Sequence, residues 1–323
     1  MKVFNIMRVF TLLIFVNSLT VTSLFSEKLK KDDIYYVPYI GKVRRVYSGD
    51  KPTKYHVPII EDPIVYEKVR ETQEVYKGRV KEYVELLQKE EDPDMRREWL
   101  EILSKFSSEE AEVALDAIIA QLSKEEVPAV RAAALYAISG LLSNGTLTDE
   151  KILYGLDVIR KYLTNDVDDE VRVGAANVLL YYGEDKETIL PVILEHLQKK
   201  QYYGCKTCFW RECIPYMLLR IGGEEAMRSL QQISDNEKED VWVRVNSIDA
   251  LVQSGKRNVK VDFLTNVATT HENKFLRMRA LTTLFIQSKD NPQIREKILT
   301  LYRNERDNFV KKHLEGLIQQ YQK

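Results

Sequence analysis

A basic residue recurs along the chain at near-constant spacing, and that recurrence limits the fold more than any other feature of the sequence. It stands at Arg96, Arg131, Arg172, Arg211, Arg244, Arg277 and Lys311, with gaps of 35, 41, 39, 33, 33 and 34 residues. A period in this range is the mark of a helical solenoid. The neighbours repeat too. The residue before the basic one is Met95, Val130, Val171, Trp210, Val243, Leu276 or Val310, and seven residues after it come Leu103, Ile138, Leu179, Leu218, Leu251, Leu284 and Ile318. All are apolar. Eight residues are a little over two helical turns, so both positions fall on one buried face. Small residues, Ala134, Ala175, Ser247 and Ala280, sit three residues after the basic one, where close helix contact leaves little room.

Helix boundaries follow the same period. Four residues before the basic position stand Asp92, Asp168, Asp240, Asn273 and Asp307, side chains that accept from the free amides of a first helical turn. Pro93 and Pro128 fall where that turn tolerates a missing N–H. Gly183, Gly222 and Gly255 come eleven residues after the basic position, where a helix can end in a left-handed residue. A second apolar-periodic stretch, such as ETILPVILEHLQ, follows each.

A capping acid, a Val-Arg pair, an Ala/Leu-rich first helix and then a second helix resemble the HEAT-repeat family. The resemblance runs from Glu91 to the C-terminus in seven copies. It implies an all-α fold, a right-handed α-solenoid of about six to seven helical-hairpin repeats, and it is weak for function because such arrays serve many roles. It also implies a structural role for Arg96, Arg131, Arg172, Arg211, Arg244 and Arg277: each reaches an acidic cap or turn of an adjacent repeat, forming a ladder. The rigid guanidinium fork suits that role better than lysine, and Lys311 is then the imperfect copy of a terminal repeat. The other reading of the row is a grip on an anionic polymer.

The N-terminus departs from the pattern. Lys2 and Arg8 precede an uncharged run from Val9 to Phe25, and EKLKKDD follows. This is the layout of a secretory signal, residues 1–26, cleaved after Ser26; the other reading is an anchor retained at 9–25. The expected localisation is therefore export, to a periplasm or cell envelope, with secretion as the alternative. Residues 27–61, rich in Tyr, Val and Pro and without a 3.6 period, read as an extended arm or tether, and 62–90 as one or two capping helices ahead of the array at 91–323.

Two interruptions break the spacing. In 141–151, Asn144-Gly145-Thr146 has the form of a glycosylation acceptor, though an Asn-Gly turn is the simpler reading. The second, 196–219, holds Cys205, Cys208 and Cys213 with Tyr202, Tyr203 and Phe209. Outside the cytoplasm, Cys205 and Cys208 read as a disulfide; free thiols, or a metal site completed by His196 and Cys213, are the alternatives. Pro215 falls inside the expected helix, where it removes a hydrogen bond. Tyr202, Tyr203 and Phe209 are candidates for partner contact.

The chain has 48 basic and 49 acidic residues, a formal net charge of -1. That balance offers no general attraction for nucleic acid. No phosphate-cradling glycine loop, nucleophile elbow or zinc-protease motif occurs, and His56, His196, His271 and His313 are scattered. No catalytic, cofactor or metal residue is expected. The function expected is a non-catalytic exported scaffold binding a protein or peptide, touching a membrane only if 9–25 is retained. The alternative is an enzyme or ligand- or metal-binding protein centred on 196–219.

Overall fold

The computed structural model describes residues 34–37, 41–59, 71, 73–144, 146–198 and 209–320. The chain is mostly helical, and it divides into two compact units, Met1–His196 and Leu197–Lys323.

Among the described residues of the first unit, six helices form three hairpins: α1 (Val80–Lys89) with α2 (Pro93–Leu103), α3 (Glu109–Lys124) with α4 (Pro128–Ser143), and α5 (Asp149–Asn165) with α6 (Asp169–Tyr181). A seventh, α7 (Lys186–Gln198), follows. Within this unit α2, α4 and α6 pack side by side in one row, while α1, α3 and α5 make the other. The second unit contains α8 (Phe209–Ile221), α9 (Gly223–Asp235), α10 (Val241–Gln253), α11 (Val261–Thr270), α12 (Lys274–Ser288), α13 (Pro292–Asn304) and α14 (Asn308–Gln319). Here α8, α10, α12 and α14 form a row, each touching the next.

The repeated basic residue always lies on these row-forming helices, but the expected order within a hairpin is reversed. Six of the seven basic helices join the helix before them, through residues 90–92, 125–127, 166–168, 236–240, 271–273 and 305–307, and are the second member of the hairpin; the residues leading into α8 lie outside the described ones, and α8 packs on α9, which follows it. The physical reason lies in the caps. Asp92, Asp168, Asp240, Asn273 and Asp307 each accept from the first free amides of the helix that follows, so a tight turn can feed that helix directly. The glycines eleven residues on have positive φ, +92° at Gly183 and +100° at Gly255, and end the same helices.

The core follows the apolar period. Val130, Val171, Val243, Leu276 and Val310 are buried, as are Leu103, Ile138, Leu179, Leu218, Leu251 and Leu284; Met95 and Ile318, in the first and last copies, are half-buried. Gly155 of α5 lets its helix lie against α4, since a Cβ there would stand 2.9 Å from Leu142. Helix α8 runs through Pro215. Around α1 and α2, Tyr76, Tyr83, Trp99 and Phe106 form an aromatic cluster with ring centroids 5.5 to 6.2 Å apart, Tyr76 meeting Tyr83 edge to face.

Part of the expected extended arm is a small sheet, added to a chain that is otherwise mostly helical. Strands β1 (Ile34–Val37), β2 (Gly41–Ser48) and β3 (Lys51–Pro58) form an antiparallel meander in that order. Gly49, with φ +57°, opens the two-residue turn joining Ser48 to Lys51. A bulge between Arg45 and Tyr47 shifts the register. Because of it the buried residues of β2, Val43 and Val46, are three apart instead of two, and the alternation that announces a strand is lost. The sheet packs on α5 through β2, and on α4 and α6 through β3.

Candidate interaction surface

The arginines connect turn to turn. Arg96 donates from Nε and Nη2 to the two carboxylate oxygens of Glu125, both at 2.9 Å, and from Nη1 to the carbonyls of Glu90 and Glu91. Arg131 repeats this on Asp166 at 2.8 and 2.9 Å while holding the carbonyls of Glu125 and Glu126. Arg211 grips Glu239, and Arg277 reaches Glu305 at 3.2 Å. Arg96 and Arg131 thus tie their own turns to the next ones, through a fork that a lysine lacks, and Arg211 and Arg277 reach the next turn's carboxylate. The closer partner stands one or two residues ahead of the N-cap position: Glu125 before Val127, Asp166 before Asp168, Glu239 before Asp240 and Glu305 before Asp307. The capping acids accept from their own helix amides, and Arg277 also reaches its capping Asp307 at 3.9 Å. Burial works to raise the Glu125 carboxyl; Arg96, the Val127 amide and Gln121 outweigh it and hold it below the usual range.

Two rungs differ. Arg172 reaches the exposed Glu195 at 3.1 Å, because the turn that should carry its acid holds the 196–219 interruption. Arg244 lies over the Phe263 ring, 4.1 Å from its centroid, since His271 occupies the acid's position in the next turn.

Of the residues expected to meet a partner, Tyr202 and Tyr203 lie outside the described residues, as do Cys205 and Cys208. Phe209 begins α8, but its side chain is not described. Cys213 carries a free thiol that burial pushes up to about 12. His196 is buried with Nδ1 2.8 Å from Asp169. Among the described residues no group of three or more His, Cys, Asp and Glu is placed to hold a metal. Asn144 donates to the carbonyls of Ser104 and Phe106, which ties its amide into the turn.

A surface that the sequence reading passed over lies in the second unit. Phe275 and Phe309 are 52% and 49% exposed, yet their rings meet edge to face at 6.0 Å. Lys274 sits over both, 5.5 and 4.7 Å from their centroids. The half-buried Trp242 occupies the corresponding place on α10. All three stand two residues before the basic position, at the second residue of their helices, and Phe209 is in phase with them. In the first unit that position holds Asp94, Ala129 and Glu170. The period therefore carried the signal, at an offset that an eye on the buried face ignores.

Behind this row runs a buried polar network. Asp249 accepts from Tyr216 Oη at 2.8 Å, Gln253 at 2.7 Å and Thr283 at 2.8 Å, with Arg279 at 3.3 Å. Burial shifts both charged members toward neutrality, Asp249 up to about 6 and Arg279 down to about 10. The network crosses α8, α10 and α12 and fixes the register of the row.

No family model matches the chain, and no curated protein does. Among solved structures, human deoxyhypusine hydroxylase in complex with glycerol is similar over 81% of this chain and 91% of its own, at 13% identity and a TM-score of 0.32. A computationally designed self-assembling cyclic homooligomer matches over 80% and 82%, at 15% identity and a TM-score of 0.13. Likenesses this weak carry no argument. Among the described residues no helix is long and apolar enough to cross a membrane.

Proposed function

We propose that the chain is a non-catalytic scaffold built as a HEAT-like solenoid, binding a protein or peptide along the edge where its basic helices begin. The exposed Phe275–Phe309 pair carries the reading. Two large aromatic side chains held half in water, with no structural need for them at that position in the first unit, suit an anchor for a partner. Seven period-locked basic positions and the turn-to-turn arginine bonds support the HEAT-like reading. The alternative, chemistry centred on 196–219, gains nothing from Cys213, whose buried thiol withholds its thiolate at neutral pH. Export remains part of the proposal, on the Val9–Phe25 run alone; the N-terminal residue of the native protein tests it.

Cross-linking of the tagged native protein in its own host, followed by mass spectrometry, tests the function. A near-stoichiometric partner, lost from a Phe275→Ser, Phe309→Ser double variant that still melts normally, supports the scaffold and locates its edge. Retention by that variant, with loss on Tyr202→Ala and Tyr203→Ala, moves the contact to the interruption. No partner at all overturns the scaffold.

A further inference from the structure

We propose that the N-terminal sheet is an acid-released clasp, docked on the helices near neutral pH and detached in mildly acidic surroundings while the helices stay folded.

The sheet is fastened at two acidic anchors with one buried histidine at the docking surface. Asp149, the first residue of α5, accepts from Arg44 Nη1 through one oxygen and from the Tyr47 amide through the other, both at 2.8 Å. Glu184, in the turn after α6, accepts from Lys54 Nζ at 2.8 Å and from Arg160 Nε at 2.8 Å. Lys54 also reaches Asp185 at 2.5 Å, and the Tyr55 ring lies beneath the cations of Lys54 and Arg160. His56 is 6% exposed; its amide donates to the Tyr182 carbonyl at 3.1 Å and its ring lies against Gly183. Arg45 is the charge that acts on its ring, with the Tyr181 backbone; of the other charged groups on the elements packed here, Arg44 pairs with Asp149 of α5, and Lys54 and Arg160 meet Glu184 and Asp185 in the turn.

Acid acts on His56 and on Glu184 in the same direction. Burial, with the Arg45 charge, holds His56 below its ordinary value of 6.5, although a hydrogen bond at the Tyr181 backbone works the other way. His56 is therefore neutral when docked. Its contribution is complete above 6.5 and is lost as pH falls through the lower docked value. Burial works to raise Glu184, but Lys54 and Arg160 outweigh it and hold the carboxyl below its ordinary 4.5. Its contribution goes later, as pH falls further, and leaves the Lys54 and Arg160 cations facing each other across the turn. Helices α4 and α6 keep their own apolar core throughout, with Leu135, Ile138 and Leu179 buried.

Hydrogen exchange on the full chain, corrected for intrinsic rates and taken between about pH 7.5 and about pH 5.5, reads the clasp directly. The expected result is a severalfold loss of protection for amides of residues 42–58, with α4 and α6 unchanged. His56→Gln should keep most of that protection at the lower pH, and Arg45→Gln, which removes the like charge, should soften the loss. Protection of the strands that does not change with pH, or that falls together with that of the helices, overturns the proposal. If His56→Gln fails to dock at neutral pH, the parent's own imidazole decides: a His56 ring that is still neutral by NMR in chains whose strands have lost their protection at about pH 5.5 overturns the proposal.

Discussion

Each arginine of the repeat is worth what its acid makes of it. The Arg131–Asp166 pair has side chains only 10% and 4% exposed and two bonds in parallel. Removing one member strands the other, so Arg131→Ala should cost about 3 kcal/mol. Arg172 meets a carboxylate that is 55% exposed, and Arg172→Ala should cost about 1 kcal/mol or less. Parallel denaturant titrations would show the gap; equal costs would mean that the fork geometry contributes little. The same logic identifies a site open to improvement. Glu125 and Glu305, in the turn place held by His271, accept from turn amides as well as from arginines. His271→Glu should give Arg244 a carboxylate and raise the melting temperature, by about 1 kcal/mol in stability. A lower melting temperature would show that the Phe263 contact is the better arrangement.

At the scale of the element, one glycine decides whether the sheet can dock. Gly183 ends α6 at φ +92°, and a Cβ on it would stand 2.9 Å from the Lys54 carbonyl and 3.0 Å from the His56 ring. Gly183→Ala meets backbone strain and a steric clash at one position, so it should cost about 1–3 kcal/mol. Exchange protection should fall in β2 and β3 before it falls in α4. Unchanged strand protection would mean that the turn yields easily and the glycine serves the helix end alone. The sequence showed this glycine as a helix terminator; it could not show the strand above it, because Lys54 and Gly183 are far apart in the chain and meet only on folding.

Among the described residues of each unit, helices touch mainly their neighbours in sequence and in the row, and in the first unit the sheet adds contacts over a longer sequence range. Stability in such an arrangement is close to a sum of local terms. Leu179→Ala, at a fully buried position in α6, should cost about 2–5 kcal/mol. Protection should drop in α4, α5 and α6 while the cluster of Leu264, Leu276, Leu284 and Leu314 in the second unit keeps its own. Simultaneous loss in both units would show that the chain melts as one body.

The sequence by itself determined the helices, their caps and their buried faces, because these depend on residues within a few turns of one another: Asp168 caps its own helix, and Val171 and Leu179 lie eight apart on one side. It also determined the repeat, since a local unit copied with its period needs no knowledge of the fold to be seen. Only the tertiary structure decided the rest. Which carboxylate each arginine meets depends on how one turn stacks over the next. The bulge in β2 erased the alternation that would have announced the strand. The pairing of Phe275 with Phe309 exists because two helices 34 residues apart in sequence begin side by side, a proximity that no local pattern encodes.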